Sequence, residues 1–142
     1  MLAHLARWLR AAGHDTELAP PRRADRTIIA QALDEHRLLL TCDRRLQHPR
    51  LQVIRLPMAP LDTLAALLRC ELGLDWLHAP FTRCLVDNRR LAPLPPERIH
   101  ALPEPARRLG GPFTFCPGCR RVFWPGSHVR RMRARLLRWA AG

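Results

Sequence analysis

A small, mostly parallel α/β sheet flanked by helices, followed by a cysteine-bearing module and a basic C-terminal helix, is the architecture this sequence predicts. Three observations carry it. Helical apolar periodicity alternates with short apolar runs over residues 1–80. From about residue 80 the character changes, and Cys, Asn, Gly, Pro and Arg dominate. A CPGC turn then sits between two short apolar stretches and precedes a long arginine-rich amphipathic segment.

Each element has its own signal. Leu2, Leu5, Ala6 and Leu9 fall at i, i+3, i+4 and i+7, which predicts a helix over 1–12 ended by Gly13. HDTEL (14–18) fits a short strand, and PPRR (20–23) breaks regular structure. Asp25, near an N-cap, opens a second helix running to about His36, with Ile28, Ile29, Ala32 and Leu33 facing inward. RLLLT (37–41) reads as a buried strand and LQVIRL (51–56) as the next one. Leu61, Leu64, Ala65, Leu68 and Leu72 share one face of a helix over 61–72, stopped by Gly73. This order places helices on the faces of a sheet, although the chain opens on a helix where a parallel α/β unit ordinarily opens on a strand. Residues 74–83 are a connection. The Pro-rich stretch 91–106 excludes long regular structure, and FTFCPGCRRVFW (113–124) reads as a hairpin. SHVRRMRARLLRWAA (127–141) reads as a basic helix capped by Ser127, with Val129, Met132, Leu136 and Trp139 along its apolar stripe. The expected organisation is an α/β domain over 1–80 and a zinc-ribbon-like module with a C-terminal helix over 81–142.

The net charge is +12, from 24 basic residues that are all Arg against 12 acidic ones. Such an excess favours a polyanion, because neutralised phosphates release counterions. Arg holds its charge at any working pH and grips phosphate with two donors. A GC-rich coding bias is the competing account of the all-Arg usage. No apolar run approaches the ~18–20 residues of a membrane span, and Arg7 and Arg10 interrupt any signal-peptide pattern at the start. A cytoplasmic protein without membrane or small-molecule cofactor is expected.

Five Cys in such a chain point to thiols or metal ligands rather than a disulfide framework. Cys116 and Cys119 in CPGC have knuckle spacing, with a glycine free to take positive φ and amides available to thiolate sulfur. Zinc takes four ligands and accepts carboxylate oxygen, and RCLVDN offers Cys84 and then Asp87, so Cys3Asp is one chemically allowed set. His128 is the rival fourth ligand. A redox pair or an inert turn is the plain reading of CPGC, a small core residue that of Cys84, and an ordinary Asp-Asn turn that of Asp87. Cys42 and Cys70 read as core thiols. Among the acids, Asp43 follows a buried strand directly, at the edge where α/β folds place their sites, and Asp25 begins the preceding helix. Asp15 is read as structural. Carboxylates converging at such an edge hold Mg²⁺ or Mn²⁺ and activate water against a phosphodiester. Arg44 beside Asp43, and Arg120, Arg121, Arg130, Arg131 and Arg133 beside the ribbon, are the candidate RNA contacts.

LARWLRAAGHDT, Asp25 ahead of a helix, LLLTCDRRL, RCLVDNRRL and FCPGCRRVFWPGSHVRRM together resemble the Mut-seven C-terminal RNase domain family, in the same order and over nearly the whole chain. The resemblance implies a PIN-like fold with an inserted zinc ribbon. It also implies a metal-dependent ribonuclease whose acidic residues gather around one or two divalent ions. It places the T-x-D acid on Asp43, the helix-start acid on Asp25 and the ribbon on Cys84, Cys116 and Cys119. Two positions depart from the family pattern. The family carries an Asp on a central strand ahead of the LARWLR helix, whereas this chain begins inside that helix. The second Cys of the first knuckle is Asp87 here. The alternative expectation is therefore a catalytically inactive RNA-binding module with a structural zinc ribbon, and a third is a protein-interaction element.

Overall fold

A computed structural model describes all 142 residues. The elements run α1 (Leu2–Ala11), α2 (Asp25–Asp34), β1 (Leu39–Thr41), β2 (Val53–Arg55), α3 (Leu61–Leu72), β3 (Ala92–Pro93), a 3-10 turn (Pro96–Ala101), α4 (Glu104–Arg107), β4 (Thr114–Phe115), β5 (Val122–Phe123) and α5 (Ser127–Ala141). The chain is thus mixed α/β, with β1 and β2 pairing in parallel and β3, β4 and β5 forming an antiparallel sheet. No helix is long and apolar enough to cross a membrane.

The main core is built from α1, α3 and α5. Leu5, Trp8 and Leu9 of α1 meet Leu64 and Leu68 of α3 and Met132, Leu136 and Trp139 of α5. Trp139 lies edge-on to Trp8 at 4.9 Å and tilted against Trp76 at 4.7 Å, in the offset geometries aromatic quadrupoles favour. The last helix therefore returns to pack on the first 80 residues. A separate small core, Leu94, Leu102 and Ala106 with Phe113, Phe115 and Trp124 against it, supports the β3–β5 sheet.

Gly13 fixes how the two parts meet. It has φ +98°, and a Cβ there would lie 2.2 Å from the Ala79 carbonyl oxygen. That close approach lets the Ala79 and Phe81 amides donate to the carbonyls of Ala12 and Ala11, both at 2.9 Å. Residues 83–88 are thereby laid beside residues 14–17.

Several expectations need correction. HDTEL forms no strand. Thr16 donates its N–H to Asn88 Oδ1 (2.9 Å) and accepts at its carbonyl from Arg10 Nε (2.8 Å), so side chains occupy the groups a ladder would need. Ser127 is the first residue of α5, whose N-cap is Gly126, and Asp25 follows the N-cap Ala24; neither helix has a side-chain cap bond. Cys70 is exposed on α3, while Cys42 packs against the core.

Candidate metal centre

Two chain segments fold into the same shape. In the first, the Cys84 amide donates to Arg89 O (2.8 Å) and the Asn88 amide to Cys84 O (3.1 Å). In the second, the Cys116 amide donates to Arg121 O and the Arg120 amide to Cys116 O, both at 2.9 Å. Each loop turns on a residue of positive φ, Asn88 at 67° and Arg120 at 64°. Superposing the two patterns in register puts Asp87 where the second loop has Cys119. Asp87 thus occupies in the first loop the position that Cys119 occupies in the second.

The four side chains converge. One ligand atom from each of Cys84, Asp87, Cys116 and Cys119 lies within 4.8 Å of the others, and no other group of three or more His, Cys, Asp and Glu side chains does so. Cys84 Sγ and Cys119 Sγ are 3.6 Å apart. Tetrahedral zinc with Zn–S of about 2.3 Å separates its sulfurs by about 3.8 Å, so the donor set fits that ion in type and in spacing. Asp87 receives the Cys119 amide on Oδ2 at 3.1 Å and the Cys116 thiol on both oxygens at 3.1–3.2 Å.

The glycine of CPGC works differently from expectation. Gly118 is absent from the positive-φ residues. A Cβ there would lie 2.5 Å from Asp87 Oδ2 and 2.7–2.8 Å from Arg89 Cδ and Nε, so glycine makes room for the carboxylate and the Arg89 side chain.

Local electrostatics divide the thiols. Burial pushes Cys84 up to about 12 despite amide hydrogen bonds from Asp87 and Val86. Burial likewise raises Cys116. The Arg121 amide lowers Cys119. Burial acts upward on Asp87, but hydrogen bonds from the Cys116 and Cys84 thiols and from the Arg89 and Cys119 amides more than offset it, leaving its carboxyl low. A metal entering this set displaces thiol protons and meets a carboxylate already ionised.

The other expected residues lie elsewhere. His128 sits at the start of α5 with Nε2 3.2 Å from Arg7 Nη2, outside the converging group. Asp25 is exposed in the first turn of α2. Asp43 is exposed just beyond β1, with its amide donating to Thr41 Oγ1 (3.1 Å) and its Oδ1 accepting from the Arg45 amide (2.8 Å). Arg44, Arg120, Arg121, Arg130, Arg131 and Arg133 are all exposed, and Arg133 lies over the Phe81 ring at 5.4 Å.

Sequence reasoning did not single out Asn88. It is 4 % exposed and joins the first loop to the start of the chain. Its Nδ2 donates to Asp15 Oδ1 (2.7 Å) and Glu17 Oε1 (2.9 Å). Asp15 also pairs with Arg37 (2.9 Å) and Arg83 (3.3 Å), which supports its structural reading. An Asn directly after a candidate ligand, in a loop that needs positive φ, was the available signal.

The family model described as Mut7-C RNAse domain matches residues 1–136 of this chain. No curated protein and no solved structure matches it.

Proposed function

Because the chain belongs to the Mut7-C RNAse domain family, we propose that it is a metal-dependent ribonuclease whose ribbon carries a structural zinc ion. The observation that carries this reading is the extent of the match, which takes in both the α/β part and the ribbon with the first two thirds of α5. RNA is the substrate class the family implies. Residues 105–142 contain nine Arg and no Asp or Glu, a basic segment suited to a phosphate backbone. Arg120, Arg121, Arg130, Arg131 and Arg133 belong to it, and Arg44 extends basic charge to Asp43.

Cys84, Asp87, Cys116 and Cys119 would hold the zinc, closing the site as structural zinc sites are closed. Asp43 and Asp25 offer hard oxygen donors suited to Mg²⁺ or Mn²⁺. A divalent ion bound there supplies charge stabilisation for the phosphate and a more acidic water. The Arg45 amide orients the Asp43 carboxylate and leaves its second oxygen free. Arg44, exposed next to it, would grip a phosphate oxygen of the bound strand.

The exposure of both acids, with no third ligand joining either, favours a second reading: a module that binds RNA through its basic surface without cutting it. One assay separates the two. Cleavage of single-stranded RNA in Mn²⁺ is measured for the parent and for Asp43→Asn, with RNA retention followed in parallel against salt. The nuclease reading expects Asp43→Asn to lose about 100-fold or more in rate, the upper range for losing support of a metal, with retention unchanged. Salt-sensitive retention with no Asp43-dependent cleavage makes the second reading the right one.

A further inference from the structure

Arg10 is 6 % exposed at the end of α1 and has no carboxylate partner. Its guanidinium meets carbonyl oxygens alone. Nε donates to Thr16 O (2.8 Å), and Nη1 donates to Val86 O (2.7 Å) and Leu85 O (3.4 Å). A buried cation without a counter-ion is costly unless a compensating charge lies close by.

The geometry of the first metal loop supplies that charge. Leu85 and Val86 stand between the ligands Cys84 and Asp87. The carbonyls of Leu85 and Val86 accept from Arg10, while the N–H groups on the far ends of those same two peptide units, those of Val86 and Asp87, act to lower the Cys84 thiol pKa. Two peptide dipoles are thus aligned between a guanidinium and a ligand sulfur, and hydrogen bonds in such a chain polarise one another. Three thiolates and a carboxylate outweigh a zinc dication by two charges, so the loaded centre is anionic. Arg83 is engaged by Asp15 and by the Gly13 and Asn88 carbonyls, and Arg89 is exposed at the rim. Arg10 is the buried cation facing the loop from the core side.

We propose that Arg10 is a positioning residue for the metal centre: acting through the Leu85–Val86 and Val86–Asp87 peptide units, its charge holds the first loop in ligand geometry and balances the anionic loaded site. This rests on the metal-site reading above. It makes α1, 74 residues away from Cys84 in sequence, part of the centre's support.

The test compares zinc affinity, by competition with a chromophoric chelator, for the full chain and its Arg10→Met, Arg10→Gln and Arg10→Lys variants, with circular dichroism and thermal unfolding in parallel. Arg10→Met is expected to weaken zinc about 10- to 100-fold, the range for lost outer-shell partners. Arg10→Lys keeps the charge and recovers most of that loss, whereas Arg10→Gln keeps a donor but recovers little. A purely structural role would not rank Lys above Gln. Should Arg10→Met fail to fold, the Lys–Gln pair carries the comparison. Equal affinity of those two, or parental affinity in a folded Arg10→Met, overturns the proposal while leaving the centre intact. A parent that binds no zinc overturns the centre itself and this proposal with it.

Discussion

Asp87 and Gly118 form a matched pair, because the carboxylate occupies the space a side chain at 118 would take. Substituting Gly118 by Ala forces a carbon to within 2.5 Å of Asp87 Oδ2 unless one of them shifts. Overpacking of this kind costs about 1–3 kcal/mol. Gly118→Ala should therefore lower thermal stability and metal retention together. Asp87→Ala removes the closest contact as well as a candidate ligand, and leaves only the flexible, exposed Arg89 side chain (2.7–2.8 Å) to give way, so the double variant should be little worse than Asp87→Ala alone. Additive losses, measured by unfolding and zinc content, would show that the contact with Arg89, not Asp87, is what requires glycine at 118. At this scale the sequence exposed what spacing can expose. Cys84, Cys116 and Cys119 stand out because thiols at knuckle intervals are chemically distinctive. Asp87 was legible both as a candidate ligand and as the second position of the first knuckle; that its loop repeats the Cys116–Arg121 loop bond for bond lies in backbone hydrogen bonds and was not legible. Arg10 and Asn88 were hidden because their contacts span about 70 residues of sequence.

One acidic residue adds a polar tie between α5 and the main core. Asp62, in the first turn of α3, accepts from Trp139 Nε1 (2.6 Å) and from Arg135 Nε and Nη2 (3.1 and 3.0 Å). The guanidinium of Arg135 lies about as close to the Trp139 ring, 5.0 Å, as to that of Trp8, 5.3 Å. The Trp139 and Arg135 hydrogen bonds lower the Asp62 pKa from its ordinary 3.8. A depressed carboxyl contributes stability that is present above the unfolded value and is lost as pH falls through the folded one. The Asp62 side chain is largely exposed, so solvent screening keeps the effect to about 1 kcal/mol. Asp62→Asn should unfold at lower temperature than the parent at neutral pH, and the gap should begin to narrow near pH 3.8 and close as pH falls further, through the lowered folded value. A gap that persists in acid would assign it to packing. The helices α3 and α5 were readable in the sequence almost to the residue, because each carries three or more turns of apolar repeat. The strand expected at HDTEL failed for the opposite reason. A five-residue pattern cannot reveal that Asn88 and Arg10, from other parts of the chain, occupy the hydrogen-bonding groups of Thr16.

At the scale of the molecule, the parallel sheet is unusually small. The Leu39 amide donates to Gln52 O and Thr41 O accepts from the Leu56 amide, so these residues face β2. Alternation along a parallel strand turns the polar groups of Leu40 to the other edge. That edge borders a groove of about 710 Å³ between β1 and residues 14–19, floored by apolar side chains of α1 and α2 that include Leu5, Leu9 and Ile28. An unpaired strand edge beside apolar surface is a place for another strand. We expect a variant extended ahead of α1 by an apolar strand, joined by a short turn, to fill the groove and pair with β1. Two or three added backbone bonds at about 1 kcal/mol each, with the apolar burial, outweigh the ordering of a short segment. Unfolding should shift upward by about 5 °C or more. An Asp at the strand's carboxyl end would lie on the same side of the sheet as Asp43, since parallel strands end together. The Asp-bearing extension should therefore cut RNA faster in Mn²⁺ than an otherwise identical Asn-bearing one, with equal stability. An extension that leaves unfolding unchanged shows that the groove does not take a strand. One that stabilises equally with Asp or Asn, and leaves cleavage unaltered by either, separates the sheet from the chemistry and turns the molecule's role toward RNA binding.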